Sequence, residues 1–203
     1  MDGDAMDAPG LVLRTPDGRP YRFDPGALCL ELLLTGGPGP YAHWEVLHGP
    51  DALTDWAAAS RLAPGLHLTV TEPEVVAARE VRDALWTLAE ARAHGRAAAD
   101  GAVAVVNAAA AKPPLVARIE PDGTRGWAPG ATGGQLVSTV ARDAVDLLTG
   151  PLADRVRVCG ADDCALLFVD TSRPGRRRWC AMENCGNRHK VRAHRARHSG
   201  GGE

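Results

Sequence analysis

Hydrophobic and polar positions along the chain fall into short blocks of two different periods. The clearest block starts at Thr71, where Val75, Ala78, Val81, Leu85, Leu88 and Ala89 recur at helical spacing until Gly95 stops the run. Thr71 with Glu74 three residues on has the form of a capping box, and Pro73 sits in the first turn, where its missing N–H is tolerated. Residues 134–149 repeat the pattern, with Leu136, Val140, Ala144, Leu147 and Leu148 on one face and Gly150-Pro151 as the stop. ALCLELLL (27–34) is apolar nearly all round and predicts a buried helix. DALTDWAAASRL (51–62), with Asp51 as cap, and GAVAVVNAAAA (101–111), closed by Pro113-Pro114, predict two more.

Two segments have strand character instead. LVLRTPDGRPYRF (11–23) and LVARIEPDGTRGWA (115–128) each flank a Pro-Asp-Gly turn with short apolar runs, where Pro presets φ and Gly accepts a positive one. Two hairpins and about five helices predict an α+β body over residues 11–150 rather than alternating βαβ units. The pattern closes before Gly150, so the body is expected to fold without residues 155–203. Residues 1–10 and 199–203 read as disordered ends.

Charge adds an asymmetry to this layout. The 203 residues carry 23 Lys/Arg and 25 Asp/Glu, but residues 151–203 hold 11 basic and 6 acidic ones, leaving the body mildly acidic. A basic tail on an acidic body points to a polyanion partner. No apolar run approaches the roughly 18–20 residues of a membrane helix, and MDGDAMDAPG, with three Asp and no cation, is the reverse of a signal peptide. The expected location is therefore cytoplasmic, with no membrane partner. In that reducing setting five cysteines do not form a disulfide framework.

Four of those cysteines carry most of the chemistry. Cys159 and Cys164 form one C-x4-C pair, and Cys180 and Cys185 form a second. Two close-spaced pairs suit a tetrahedral Zn2+ site, each pair presenting two thiolates from one tight turn. Four thiolates fill the shell, which makes the site structural. Between the pairs, ALLFVD (165–170) and RRRWC (176–180) read as two extended legs around TSRPG. A cysteine turn, a hairpin and a cysteine pair leading into a helix is the order of a treble clef. A mixed site of Cys180, Cys185, His194 and His198 is the rival; it would orphan Cys159 and Cys164. Cys29, in an apolar run, reads as a core thiol.

Arg173 to Arg197 contains nine Lys/Arg and a single acid, Glu183. Arg173, Arg176, Arg177 and Arg178 precede the second cysteine pair, and Arg188, Lys190, Arg192, Arg195 and Arg197 come after it. In an extended segment Arg177 faces opposite to its two neighbours. The helix expected after Cys185 has almost no apolar face, so burial cannot hold it; the metal can anchor its first turn and phosphates can neutralise the rest. Arg188, in that first turn, is the candidate base reader. Trp179 suits either base stacking or packing beneath the zinc turns.

At CAMENCGNRHK, preceded by SRPGRRRWC and C-x4-C, the chain resembles the CGNR zinc-finger family of bacterial proteins. In that family the finger comes after an N-terminal domain called ABATE, and its members are regarded as stress-induced transcription regulators. The resemblance is close over about residues 157–197, within a finger expected over 155–198, and looser over about 21–150, through YRFDPGALCLELLLT and ARDAVDLLTG. It implies that Cys159, Cys164, Cys180 and Cys185 hold one structural Zn2+. Family members often carry Asn before the Thr of the opening segment, where this chain has Leu34.

No catalytic constellation stands out. H-E-x-x-H, G-x-S-x-G and the phosphate loop are absent from the sequence. His43, Trp44, His48 and Trp56 are close enough in sequence to line a pocket, but they read first as an amphipathic packing surface. The expected function is DNA-binding regulation rather than catalysis, with the body as sensor or dimerisation module. The alternative is a finger that docks RNA or protein. A homodimer would add base contacts, although no heptad marks one.

Overall fold

The computed structural model describes residues 10–15, 17–62 and 64–192. Its core is built on three helices: α3 (Glu72–Ala93), α4 (Asp100–Ala110) and α5 (Gly133–Thr149). Every apolar position that the periodicity assigned to α3, from Val75 to Ala89, is buried. α5 buries Leu136, Val140, Ala144 and Leu147. The two helices are joined at their starts. Glu74 closes the capping box on the Thr71 N–H at 2.8 Å, and its other oxygen accepts from the Gly134 N–H at 2.7 Å. α5 has a second box of the same kind, Thr132 with Gln135.

α1 (Leu28–Leu32) is wholly buried, and the Asp143 carboxylate of α5 accepts the Cys29 N–H at 2.8 Å. Glu31 is buried inside this apolar run, a polar residue that the pattern does not explain. Its carboxylate takes the Arg61 backbone N–H at 3.0 Å and the Arg61 Nε at 2.9 Å, so the charge is paired and bonded where it would otherwise be costly. Arg82 does the same for α3: it is buried and grips Glu45 at 2.8 and 2.7 Å, tying the helix to the loop that comes after α1.

Among the described residues the strands form four separate pairs. β1 (Leu11–Arg14) and β2 (Pro20–Phe23) are antiparallel, with Leu11 opposite Phe23. β4 (Ala117–Ile119) and β5 (Arg125–Trp127) make the second expected hairpin, whose turn puts Gly123 at φ 82°. β3 (Leu68–Thr69) pairs in parallel with β6 (Ala131–Thr132), a contact too short to leave a sequence signal. β7 (Val156–Val158) and β8 (Leu167–Val169) are antiparallel.

Two expectations are corrected, and one expected helix proves less buried than its composition suggests. α2 (Pro50–Ala59) is capped by Gly49 with Pro50 in its first turn, not by Asp51. α4 buries only Val106 and Ala109 in spite of its Ala/Val content. The ladder partner of β8 is β7, not residues 176–180. The first cysteine pair occupies the turn between β7 and β8 and folds the chain back on itself; the second leg has no strand pairing and lies alongside.

The finger and the body share apolar packing. Val156, Leu167 and Val169 belong to the same core as the helices, while Phe23 of the first hairpin lies with Phe168, Cys159, Cys180 and Cys185 in a second cluster. The Val169 N–H also donates to the Pro25 carbonyl at 2.8 Å. The expected disordered ends, apart from Gly10, lie outside the described residues, as do His194, Arg195, Arg197 and His198.

Candidate metal centre and basic surface

Each cysteine pair is set by its own turn. In the β7–β8 turn the Cys159 N–H bonds the Leu166 carbonyl at 2.9 Å, and the Cys164 N–H bonds the Ala161 carbonyl at 3.0 Å. On the other side Cys180 enters a wide helical turn, Met182–Gly186, that carries Cys185 and runs into helical residues 187–192. The four sulfurs converge to within 4.8 Å of one another, with Cys164 to Cys180 at 3.8 Å and Cys180 to Cys185 at 3.5 Å. Zn–S bonds of about 2.3 Å in a tetrahedron place sulfurs about 3.8 Å apart, so the set fits one Zn2+ with no open position. Cys159 and Cys164 are not orphaned, and all five cysteines are free of disulfides.

The electrostatics of the donor set point the same way. Crowded together, the thiols cannot ionise independently: hydrogen bonds from Cys164 and Cys180 drive Cys159 down to about 2. The bond to Cys159 in turn pushes Cys164 up to about 12 and Cys180 upward as well. A dication supplies the charge that lets all four act as thiolates. Two donors outside the set face the sulfurs: the Cys180 N–H lies 3.4 Å from Cys159 Sγ, and Arg188 Nη2 lies 3.2 Å from Cys185 Sγ.

The Cys-Gly-Asn-Arg string acquires a reason for each residue. A Cβ on Gly186 would stand 2.8 Å from the Met182 sulfur and 3.4 Å from the Trp179 ring, so a side chain there must push the exposed Met182 side chain aside. Asn187 donates to the Glu183 carbonyl at 3.4 Å, closing the wide turn. Arg188 reaches back to Cys185 and to Asp163 between the first two cysteines, linking the two turns. Trp179 is half-buried against the cysteine cluster and packs on His189 with ring centroids 4.6 Å apart, the packing role rather than a free stacking face.

The basic residues divide into two kinds. Arg177 faces inward: its guanidinium lies 4.4 Å above the Phe168 ring and donates to the Trp179 and Cys180 carbonyls. Its own N–H is accepted by Asp170 at 2.9 Å. Arg188 and Arg192 are both held by Asp163. Arg173, Arg176, Arg178 and Lys190 are exposed, and no acid pairs with them among the described residues. Sequence reasoning missed Asp163, whose only signal is an acid between two ligand cysteines. His43, Trp44 and His48 are exposed, whereas Trp56 is buried in the core, so these four do not form one pocket.

Among the described residues no helix is long and apolar enough to cross a membrane. A search of curated proteins finds no match. Residues 155–198 match the family model of the CGNR zinc finger. Residues 26–151 match that of ABATE, described as "putative stress-induced transcription regulator". With well over half of its length covered, the chain belongs to the ABATE family and carries a CGNR zinc finger at its C-terminal side.

Proposed function

We propose that the protein is a cytoplasmic regulator that binds duplex DNA through its zinc finger, with the helical body as sensor or dimerisation module. The observation that carries this reading is the set of exposed cations without acid partners beside a rigid metal centre: Arg173, Arg176, Arg178 and Lys190. Such a surface is electrostatically unfavourable without counterions, and a phosphate backbone releases them on binding. The regulator description of the matched family agrees with it. Arg195 and Arg197 extend the same run in sequence.

Arg177 serves the finger rather than the partner, since its guanidinium is spent on Phe168 and two carbonyls. Arg188 reads a base only after releasing Asp163, which moves the first backbone contacts to the four exposed cations. Four phosphate contacts give a slope of log affinity against log salt of about −3.6. The test is a binding series on fragmented genomic DNA at several salt concentrations. A slope near that value, lowered by about one unit in Arg176→Ala, supports the reading. If no duplex binds in a salt-dependent way, the finger is a docking module for RNA or protein.

A further inference from the structure

We propose that the cavity between the first hairpin, the Tyr41 turn and the cysteine-bearing turns binds a small planar aromatic molecule carrying one anionic group. The proposal deepens the sensor role given to the body and rests on that role. The cavity has a volume of about 530 Å3, inside the roughly 300–1,000 Å3 range of small-molecule sites, and it lies where such sites concentrate, at the junction of two units.

One wall is a ladder of rings. Trp86 stacks on Tyr41 with centroids 4.2 Å apart and planes 11° apart, and Tyr41 and Trp44 are next at 6.2 Å and 17°. The inner rung is fixed, because Trp86 Nε1 donates to the Gly36 carbonyl at 2.8 Å. The outer rung is not consumed by the fold: Trp44 is 57% exposed and Val46 beside it 50% exposed. The Trp44 ring leans on that of His43, with centroids 3.9 Å and planes 41° apart, and the part of the indole left exposed at the cavity mouth is a platform for another planar ring.

The charge comes from the opposite wall. Arg14, on β1, lines the cavity; its guanidinium donates to the Gly18 carbonyl at 2.9 Å, and no acid pairs with it among the described residues. The one acid among the lining residues, Asp163, is already paired with Arg188 and Arg192, so the Arg14 guanidinium at the edge of the cavity selects a carboxylate or phosphate. Arg188 lines the same cavity, and its Nε is buried with no hydrogen-bond partner. Arg188 also holds Cys185 and Asp163, so an occupant of the cavity touches the group that links the two cysteine turns. That contact is the route from ligand to finger.

The experiment is calorimetric titration of the full-length zinc-loaded protein with 2-naphthoate, with 2-naphthylmethanol as the same ring without charge. Saturable binding of the acid is expected, with the alcohol about tenfold weaker for want of a charge-assisted hydrogen bond. Arg14→Gln should abolish that difference, and Trp44→Ala should weaken both probes by about tenfold. Both residues are exposed, so circular dichroism should be unchanged. Adenosine monophosphate is then added as competitor: displacement of the naphthoate identifies a nucleotide as the class of occupant, and no displacement identifies a simple aromatic acid. No saturable naphthoate binding, equal binding of acid and alcohol, or an unaffected Trp44→Ala overturns the site. Ligand binding without duplex binding removes the DNA reading and keeps this one; the converse removes this one alone.

Discussion

The Asp163 carboxylate takes two hydrogen bonds of 3.1 Å from Arg188, the residue whose other contact is the Cys185 sulfur. The same carboxylate takes one of 3.0 Å from Arg192. An acid within the first cysteine turn thus holds two cations of the helix in the manner of a phosphate. If the finger binds DNA, Asp163 competes with it. Asp163→Asn should raise non-specific duplex affinity several-fold at low salt, the scale of an exposed ion pair, and steepen the salt slope by about one unit. Fluorescence anisotropy at several salt concentrations reads both; an unchanged slope would show that Asp163 does not compete.

Metal removal should act on both clusters of the core. One Zn2+ per chain is expected, lost in Cys159→Ser and retained in His194→Ala. Structural zinc contributes roughly 10–16 kcal/mol of apparent folding energy in finger peptides. Because Phe23 packs in the cysteine cluster, chelation should also loosen the first hairpin. Hydrogen exchange at Leu11 to Phe23 before and after chelation reports this. Protection that survives full metal loss would mean that the hairpin is held by the body alone.

Phe168 links the finger to its own charge. It is fully buried, with Arg177 above its ring. Phe168→Ala should cost about 3–5 kcal/mol, the range for a truncated core aromatic. The hydrophobic pattern alone predicts that the body folds without residues 155–203. The packing of Val156, Leu167 and Val169 in the body core predicts a large loss instead, about 1.5–3 kcal/mol for each such side chain. Urea unfolding of the chain cut after Asp154 decides between the two.

Glu74 gives the fold an acid-sensitive joint. Burial acts to raise its carboxyl, but hydrogen bonds from the Thr71 and Gly134 N–H groups outweigh it and hold the group below its ordinary 4.5. A depressed carboxyl contributes stability above its unfolded value and loses it as pH falls through the folded one. Glu74→Gln should cost about 1 kcal/mol at neutral pH, the scale of a lost cap. It should also flatten the fall in stability below pH 4.5. Thermal unfolding across pH 3–7 measures it; parallel curves for the two proteins would contradict the account.

Long-period features were legible in the sequence, and long-range ones were not. α3 and α5 declare themselves through apolar repeats, and the two Pro-Asp-Gly turns through the conformation that Gly permits. The paired cysteines announce their convergence because a metal needs four donors. The Thr132–Gln135 box was also readable, as a Thr followed three residues later by Gln. The pairing of β8 with β7 was hidden because both legs around TSRPG look extended; only the closure of the first cysteine turn picks the partner. Phe23 has no local sign that it belongs with Cys185. Asp163 looks like any loop acid until Arg188 is brought beside it. The match of 26–151 to ABATE and 155–198 to the CGNR finger agrees with the order read from the motifs.

The cluster that unites Phe23 with the cysteines sets a sequence of events during synthesis. Phe23 emerges from the ribosome long before Cys185, and its cover does not yet exist. The first hairpin must wait with an aromatic side chain uncovered, because the loop to be closed spans most of the chain. Capture of the metal is therefore among the last acts of folding, and it seals the earliest strand along with the latest turn. A chain released before Cys185, or starved of zinc, displays that aromatic surface to chaperones and proteases, and so the metal centre reports that synthesis has passed Cys185.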